Sequence, residues 1–427
     1  MTDVATTLGN LLADVLGAES PVRIRAWDGS ETGPPDGPVV VLRSPMGLRR
    51  LVWDPSELGF ARAFVAGEID VEGDLHDGLR RAWAWARERG RVRIGLRQRS
   101  RAALAAARLG VLGWRPEPPA EEARLRGRVH TKGRDRAAVA HHYDLGNEFY
   151  QALLDPRLAY SCGYWTSDAA TYSHADAQRD KLDLVCRKLG LRPGMRLLDV
   201  GCGWGSLILF AAEHYGVRAT GITLSARQGE FVRERIVERG LGELVEVRVR
   251  DYRELAGEPF DAVASIEMGE HVGAVNYATY AATLFRMTRP EGRLLLQQMS
   301  RGAVAPGGGA FIERYVAPDM TMRPVGQTVD ALAQAGFEVR DVQALREHYV
   351  RSVLAWADTL ERRWDEFVRL VGAGQARVWR LYLAGGALAF AENRMGVDQI
   401  LAVRPTAAGT SGMPDTREQL LAAGIAG

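Results

Sequence analysis

The chain has 427 residues, a formal net charge of +2, and a composition of 46% hydrophobic and 25% charged residues. This length accommodates two domains with separate cores, and the composition is ordinary for a globular protein. No apolar run approaches the roughly 20 residues that span a bilayer, and the first residues lack an export signal, so we expect a cytoplasmic protein. The three cysteines, Cys162, Cys186 and Cys202, are too few for a disulfide framework and lack metal-ligand spacing. We therefore expect reduced thiols and no metal site.

Basic residues are concentrated between residues 80 and 136, where the chain has 17 Lys and Arg and only five acidic residues. Apolar residues such as Trp83, Trp85 and Trp114 are interleaved with them. A surface that is both apolar and basic suits an anionic lipid headgroup layer, at about 1 kcal/mol per basic residue near the membrane. We expect peripheral association with the inner face of the membrane, and a solvated helical face is the alternative. No nucleic-acid-binding module accompanies this charge, so no nucleic-acid partner is expected.

Breaks in composition predict the domain organisation. Residues 1–115 read as a smaller α+β domain that associates with lipid or membrane, with strand-like runs over 22–26, 39–42 and 50–53 before its helices. A proline-rich stretch at 116–119 begins a charged linker that extends to residue 138. The catalytic domain is predicted over 139–410. Residues 411–427 form a tail that we expect to be loosely ordered.

A glycine-rich turn lies between a predicted strand and a predicted helix. The apolar run at 195–198 leads into Asp199-Val200-Gly201-Cys202-Gly203-Trp204-Gly205, and a helical pattern follows. Glycines let the backbone turn tightly near a ligand, and a helix N-terminus offers N–H donors. Further strands are predicted over 217–222, 245–249, 260–266 and 292–299, alternating with helical segments. This alternation predicts a doubly wound, mostly parallel sheet with ligands at the carboxyl ends of its strands.

The glycine-rich turn resembles motif I of S-adenosylmethionine-dependent methyltransferases. Three further runs make the resemblance more specific: His142-Tyr143-Asp144-Leu145-Gly146-Asn147, Tyr160-Ser161-Cys162-Gly163-Tyr164-Trp165 and Glu270-His271-Val272-Gly273. Together they resemble the cyclopropane-fatty-acyl-phospholipid synthase family, which includes the mycolic acid cyclopropane synthases. The resemblance implies a Rossmann-like class I methyltransferase fold of the α/β class, with S-adenosylmethionine as the cofactor.

The same resemblance implies which residues contact the cofactor. The end of the first strand and the glycine turn would hold its amino-acid part, and the next two strand ends would contact its ribose and adenine. The implied contacts are Tyr143, Tyr160, Ser161, Asp199, Gly201, Cys202, Gly203, Gly205, Thr223, Ser225, Gln228, Asp251, Tyr252 and Ile266. For Asp251 and Tyr252, a helix-capping aspartate and a packing tyrosine remain alternatives.

In this family the methyl acceptor is a cis double bond in a phospholipid acyl chain, and a base must remove a proton after methyl transfer. The family uses a bound bicarbonate, and the residues expected to hold it here are Cys162, Glu270 and Tyr349. Gln297 stands where cyclopropane synthases have a histidine. Glutamine donates a hydrogen bond but carries no positive charge, so bicarbonate binding is expected to weaken or vanish. Glu148 is then a candidate replacement base, with a helix-start carboxylate as the alternative.

These departures favour a 10-methylene product of the tuberculostearic type over ring closure, and cyclopropane formation remains the first alternative. The chain has no further dinucleotide motif, so reduction to a 10-methyl product would need a flavin-dependent reductase as a partner. The family also implies a homo-oligomer. A methyltransferase acting on a non-lipid substrate and an inactive lipid-binding protein are the remaining alternatives.

Overall fold

The computed structural model describes residues 3–17, 20–89, 95–123, 127–143, 145–302 and 309–422. Contacts divide the chain into two compact units. Unit 1 comprises Met1–Ala123, Ala310–Val316 and Leu360–Leu388, and unit 2 comprises Arg124–Gly309, Ala317–Thr359 and Ala389–Gly427. This division differs from the predicted single domain over 139–410, because two later segments pack with the N-terminal residues.

Helices and strands occupy most of the described chain. The helices are α1 (Val4–Leu16), α2 (Pro45–Trp53), α3 (Glu57–Val65), α4 (Leu75–Arg89), α5 (Leu96–Arg108), α6 (Lys132–Tyr143), α7 (Asn147–Leu153), α8 (His174–Leu189), α9 (Ser206–Tyr215), α10 (Ala226–Glu238), α11 (Tyr277–Met287), α12 (Ala310–Tyr315), α13 (Val325–Gln334), α14 (Arg346–Arg362), α15 (Trp364–Val371), α16 (Ala373–Ala391) and α17 (Arg417–Ala422). The strands are β1 (Arg23–Arg25), β2 (Glu31–Thr32), β3 (Val39–Leu42), β4 (Ile69–Glu72), β5 (Arg196–Val200), β6 (Arg218–Thr223), β7 (Val245–Val249), β8 (Phe260–Ile266), β9 (Thr288–Ser300), β10 (Glu338–Ala344) and β11 (Gly396–Val403). In this part of the chain no helix combines the length and the apolar composition that a bilayer crossing needs.

Unit 2 is built on a seven-stranded sheet of order β10-β11-β9-β8-β5-β6-β7. Strands β5 to β9 pair in parallel, and β10 and β11 add antiparallel pairs at one edge. Consecutive strands run outward from β5 in one direction and then continue from β8 in the other, so the chain reverses its winding between β5 and β8. Ligands bind at such a reversal point in doubly wound folds. The predicted fold, a Rossmann-like class I methyltransferase with a mostly parallel sheet, is confirmed.

Apolar side chains cover both faces of this sheet. One cluster joins β5 to α8, α9 and α10 through residues such as Val185, Ile208 and Val232. The other joins β8 and β9 to α11 and α13 through residues such as Tyr280 and Leu332. Each fully buried side chain of this size contributes about 1.5–3 kcal/mol to folding, so the two clusters hold the strand ends in fixed positions.

Unit 1 contains a four-stranded sheet of order β2-β1-β3-β4, in which only the β1–β3 pair is parallel. The predicted strand over 50–53 is wrong, because these residues form the last turn of α2. Pro45 begins that helix at a position where its missing N–H costs nothing, and Leu48 and Leu51 pack against the unit's apolar cluster. Short apolar runs fit either element, and here the helical spacing of the two leucines decides.

Two regions expected to be irregular contain ordered structure. The predicted linker, 116–138, is divided between the two units, and its end lies in α6. The predicted loose tail contains α17, whose Leu420 is buried in the same cluster as α8, while Arg417 pairs with Asp341 at 2.9 Å. Burial of one leucine and one ion pair therefore hold α17 in place.

Candidate active site

The glycine turn lies at the carboxyl end of β5 and is tied to the neighbouring strand. The N–H groups of Gly201 and Cys202 both donate to the carbonyl of Ile222, at 3.0 and 2.9 Å. Gly201 has a φ of +89°, and a Cβ there would lie 2.8 Å from the side chain of Met268. The position therefore requires glycine on two grounds, backbone conformation and close approach. The turn is therefore fixed in position, and its backbone lines a pocket.

A pocket lies over the carboxyl ends of β5, β6 and β8, entirely within unit 2. Ten of the predicted cofactor residues line it: Tyr160, Ser161, Asp199, Gly201, Cys202, Gly203, Thr223, Gln228, Tyr252 and Ile266. The structure therefore brings together residues from five separate stretches of sequence. The side chain of Tyr143, the remaining N-terminal candidate, lies outside the described part of the structure.

Three other predicted cofactor residues do not line the pocket and instead cap helices. Gly205 occupies the N-cap of α9, and the Ser225 hydroxyl accepts a hydrogen bond from the backbone of Gln228 at the start of α10. Asp251 caps the short 3₁₀ helix over 252–254 and is held by the guanidinium of Arg253 at 2.6 Å. Burial acts to raise the pKa of Asp251, but these hydrogen bonds from Arg253 lower it overall. Helix capping, the alternative interpretation of Asp251, describes its contacts in this structure.

Asp199 and Tyr252 present unsatisfied polar atoms in the pocket region. Among the described residues, Asp199 Oδ1 and the Tyr252 hydroxyl are buried without a hydrogen-bond partner. Burial raises the pKa of Asp199 to about 7, and the charge of Lys181 opposes this shift. Buried polar atoms are normally hydrogen-bonded, so orphans of this kind indicate a missing ligand. An ammonium group would satisfy Asp199, and the amino-acid part of S-adenosylmethionine carries one, so the residues fit this cofactor.

Lys181 is a pocket residue that was not predicted. It lies on α8, is almost fully buried, and its ammonium donates to the Ser161 hydroxyl at 2.8 Å. Burial lowers its pKa, while the charges of Glu267, Asp155, Cys162 and Asp199 act to raise it. Its signal in the sequence is a lysine at a position of α8 where the helical spacing places the apolar face.

Glu267 is the second pocket residue that was not predicted, and it connects three residues that were. Its Oε1 accepts hydrogen bonds from the backbone N–H of Cys162 at 2.9 Å and from Gln297 Nε2 at 2.7 Å. Its Oε2 accepts from the Tyr349 hydroxyl. Burial raises the pKa of Glu267, and the hydrogen bonds lower it in part. A charged residue directly after the buried strand β8 was the available signal.

The predicted catalytic residues Cys162, Gln297 and Tyr349 therefore meet around one carboxylate. Gln297 is fixed at both ends, because its carbonyl oxygen accepts from Gln399 Nε2 at 3.0 Å. Cys162 contributes its backbone N–H, and burial raises the pKa of its thiol well above the ordinary value. The thiol is thus neutral at physiological pH.

The two predicted glutamates lie elsewhere. Glu270 is completely buried and accepts from the backbone of Met299, and it does not line the pocket. Burial raises the pKa of Glu270 to about 8, with a further increase from the charge of Glu267. Glu148 is exposed in the first turn of α7 and does not line the pocket either. The interpretation of Glu148 as a helix-start carboxylate matches this position.

The chain is similar in sequence to a known protein family and to named relatives. Residues 130–400 match the family described as mycolic acid cyclopropane synthetase. The chain is 36% identical over 409 residues to the "Probable fatty acid methyltransferase" of Pseudomonas putida, covering 94% of this chain and 96% of the relative. It is 29% identical over 414 residues to the "Tuberculostearic acid methyltransferase UfaA1" of Mycobacterium tuberculosis, covering 94% and 92%.

A solved structure with a bound cofactor product is similar in fold to this chain. The structure of the mycolic acid cyclopropane synthase CmaA1 complexed with SAH and CTAB superposes with a TM-score of 0.59 at 29% identity. The match covers 62% of this chain and 97% of that chain.

Proposed function

This chain belongs to the mycolic acid cyclopropane synthetase family and is an S-adenosylmethionine-dependent methyltransferase, and we propose that it methylates the cis double bond of an unsaturated phospholipid acyl chain. The substrate chain that we propose is of the oleoyl type, and the product that we propose is a 10-methylene acyl chain. Bound S-adenosylmethionine supplies an electrophilic methyl carbon. The chain's own residues must bind this cofactor, exclude water and remove a proton.

The cofactor-binding part of the proposal rests on the glycine turn and on Asp199. The turn leaves room for backbone contact, and the unsatisfied Asp199 Oδ1 offers an acceptor to an ammonium group. The unsatisfied hydroxyl of Tyr252 offers a second polar contact in the same pocket. An alkene is a weak nucleophile, so proximity and water exclusion must supply much of the rate enhancement.

The single observation that carries the choice of product is the fixed amide of Gln297. A histidine at this position could carry positive charge and hold an external anion, whereas this neutral amide is already bonded to Glu267 and Gln399. The name of the tuberculostearic acid methyltransferase that shares 29% identity supports the same product class. Cyclopropane formation is the second candidate, because the similar CmaA1 is named a cyclopropane synthase.

Labelled methyl donor tests the function directly. Purified protein, [methyl-¹³C]S-adenosylmethionine and dioleoyl phosphatidylglycerol vesicles should give acyl chains that carry one labelled carbon. Ring and methylene products have the same mass, so proton NMR of the released fatty acids distinguishes vinylidene protons from high-field ring protons. Absence of labelled acyl product with every unsaturated phospholipid would refute the function, and a ring as the sole product would refute the use of Gln297.

We propose further that a separate flavin-dependent reductase converts the methylene group to a methyl branch. No second dinucleotide motif is apparent in the sequence, which supports a division of labour between two proteins. The purified enzyme should therefore stop at the methylene product even with excess nicotinamide cofactor. A methyl-branched product from this chain alone would contradict the proposal.

We also propose a homo-oligomer, which light scattering of the purified protein tests.

Peripheral membrane binding is proposed for the surface around α5. Leu96 and Trp114 are 85% and 93% exposed, and exposed arginines such as Arg97, Arg99 and Arg108 accompany them. Apolar side chains would enter the headgroup layer while the arginines contact anionic lipid. Trp114→Ser combined with Leu96→Ser should weaken binding to phosphatidylglycerol vesicles at least tenfold in co-sedimentation, since each buried side chain contributes about 1.5–3 kcal/mol.

The matched control for the membrane experiment is Val237→Ser, which removes a 78%-exposed apolar side chain on α10 of unit 2. It should leave vesicle binding unchanged. Equal weakening by the control, or no weakening by the α5 pair, would contradict the assignment of this surface. Vesicles of phosphatidylcholine should bind more weakly than phosphatidylglycerol vesicles if the arginines contribute.

A further inference from the structure

Methyl transfer to an alkene requires a proton acceptor, and the pocket contains four described carboxylates. Asp135 is paired with Arg253 at 2.9 Å, and Asp319 with Arg134 at 2.9 Å. Protonation of either carboxylate would break its pairing with an arginine guanidinium, so neither is assigned as the proton acceptor. The remaining two are Asp199 and Glu267.

Asp199 is assigned to the cofactor by its position at the glycine turn and by its unsatisfied oxygen. Glu267 differs in that it lies at the end of β8, and its hydrogen bonds come from donors that carry no charge, namely a backbone amide, a side-chain amide and a phenol. Such donors orient a carboxylate without supplying the countercharge that would abolish its basicity. The positive charge of Lys181 also acts on Glu267, without a hydrogen bond to it among the described contacts.

The hydrogen-bond count identifies one oxygen of Glu267. A carboxylate offers about four lone-pair sites. Oε1 accepts two hydrogen bonds, from Cys162 and Gln297, whereas Oε2 accepts one, from Tyr349. One lone pair therefore remains on Oε2, at a residue that lines the pocket.

We infer that Glu267 is the catalytic base of this enzyme and that its Oε2 accepts the proton which the substrate loses after methyl transfer. This inference rests on the proposed function and adds to it the group that completes the reaction. The chain thereby contains its own carboxylate base, held by Gln297 and by two residues, Cys162 and Tyr349, that the resemblance associates with a bound anion.

In the proposed reaction, methyl transfer precedes proton transfer to Glu267. The bond between the methyl carbon and sulfur breaks with its electron pair left on sulfur, and the alkene π pair forms the new carbon–carbon bond. The adjacent carbon becomes a cation, which a hydride shift moves to the branched carbon. A C–H bond of the new methyl group then breaks, its electron pair forms the methylene π bond, and the proton bonds to Glu267 Oε2. Ring closure would remove a proton from the same carbon, so the role of Glu267 is the same for both products.

The backbone conformation at Glu267 allows a test by chemical rescue. Its φ is +52°, a conformation that glycine adopts more readily than any other residue. Glu267→Gly therefore removes the side chain without backbone strain and leaves space for a small carboxylate from solution. Glu267→Gln retains the shape, can still accept from its neighbours and fills that space. The two variants lose the same base, but only the glycine variant can be rescued.

We expect Glu267→Gln to lower turnover about 100-fold or more, the usual contribution of a general base, while the Kd for S-adenosylmethionine from calorimetry changes less than threefold. Formate or bicarbonate at roughly 50–100 mM should raise the turnover of Glu267→Gly at least tenfold. The same anions should leave the turnover of Glu267→Gln unchanged. Binding of [¹³C]formate to the glycine variant, detected by NMR without substrate, is a readout independent of turnover. Glu258→Gln, at an exposed carboxylate, is the matched control and should behave as the wild type.

Wild-type turnover in Glu267→Gln would overturn the inference while leaving the proposed function intact. Loss of cofactor affinity in parallel with turnover would also overturn it, because the carboxylate would then act in binding. Failure of the wild type to label any unsaturated lipid would instead refute the function itself.

Discussion

Replacing Asp199 by asparagine should stabilise the fold and abolish cofactor binding at the same time. Burial raises the pKa of this carboxyl to about 7 from an ordinary value of 3.8, so ionisation in the folded state is unfavourable. A group whose folded pKa is raised destabilises the native state as pH rises from the unfolded value to the folded one. The full shift corresponds to about 4 kcal/mol at most, at about 1.36 kcal/mol per unit.

The loss of one attraction reduces this gain. The Lys181 ammonium is also buried and its charge interacts with Asp199, so removing the carboxylate leaves the lysine less compensated. We expect a net increase of roughly 1–3 kcal/mol in the free energy of unfolding above pH 7, by the linkage relation. The increase should fall below about 1 kcal/mol near pH 4, where the carboxyl is protonated in the folded state and about half ionised in the unfolded state, whose pKa is the ordinary 3.8.

Urea denaturation of both proteins at pH 4, 6 and 8 measures this dependence, and calorimetry with S-adenosylmethionine measures binding. In the wild type, cofactor affinity should increase as pH rises through about 7, because only the ionised carboxylate attracts an ammonium group. The variant should show no such increase. A variant that is less stable than the wild type at pH 8, or one that binds the cofactor equally well, would refute the reasoning.

Three further changes test other parts of the structure. Gln297→Ala removes a donor to Glu267 and leaves Gln399 without its acceptor, so turnover should fall about tenfold with little change in cofactor Kd, as measured by steady-state kinetics and calorimetry. Gly221→Ala places a Cβ 2.7 Å from the Cys202 sulfur and should destabilise unit 2 by about 1–3 kcal/mol in thermal denaturation. Arg377→Ala removes one of three arginines around the buried Asp70 and should cost about 1–2 kcal/mol in urea denaturation, and an unchanged stability would contradict a structural role for this pair.

The parallel sheet was predictable because its signals are local. Each of the strands β5 to β8 is a short apolar run that ends in a polar or glycine-containing motif, and the observed bounds differ from the predicted ones by at most two residues. The strand predicted over 50–53 failed because a run of four residues does not establish a period. Which chain segments form unit 1 could not be predicted, for a different reason. No local pattern near residues 360–388 indicates that they pack with the N-terminal residues.

The site was predictable where backbone geometry dictates sequence, and less so where side chains meet across the fold. The glycine turn and Asp199 follow from one motif, and both line the pocket. The sequence motif points to Glu270 rather than to Glu267, three residues away, and only the three-dimensional structure shows that Glu267 faces the donors Cys162 and Gln297.

The division of unit 1 into three chain segments has a consequence for how the protein is made. Asp70 bonds to Arg377, and the two are 307 residues apart in sequence. On the ribosome, the first 123 residues emerge with a buried carboxylate that lacks two of its three arginine partners until the last part of the chain has been translated. We therefore expect that unit 1 does not complete its folding until these residues have been made, and that its N-terminal segment stays accessible to chaperones until then. Chimeras that exchange only residues 1–123 between relatives will inherit this mismatch unless residues 310–316 and 360–388 are exchanged with them.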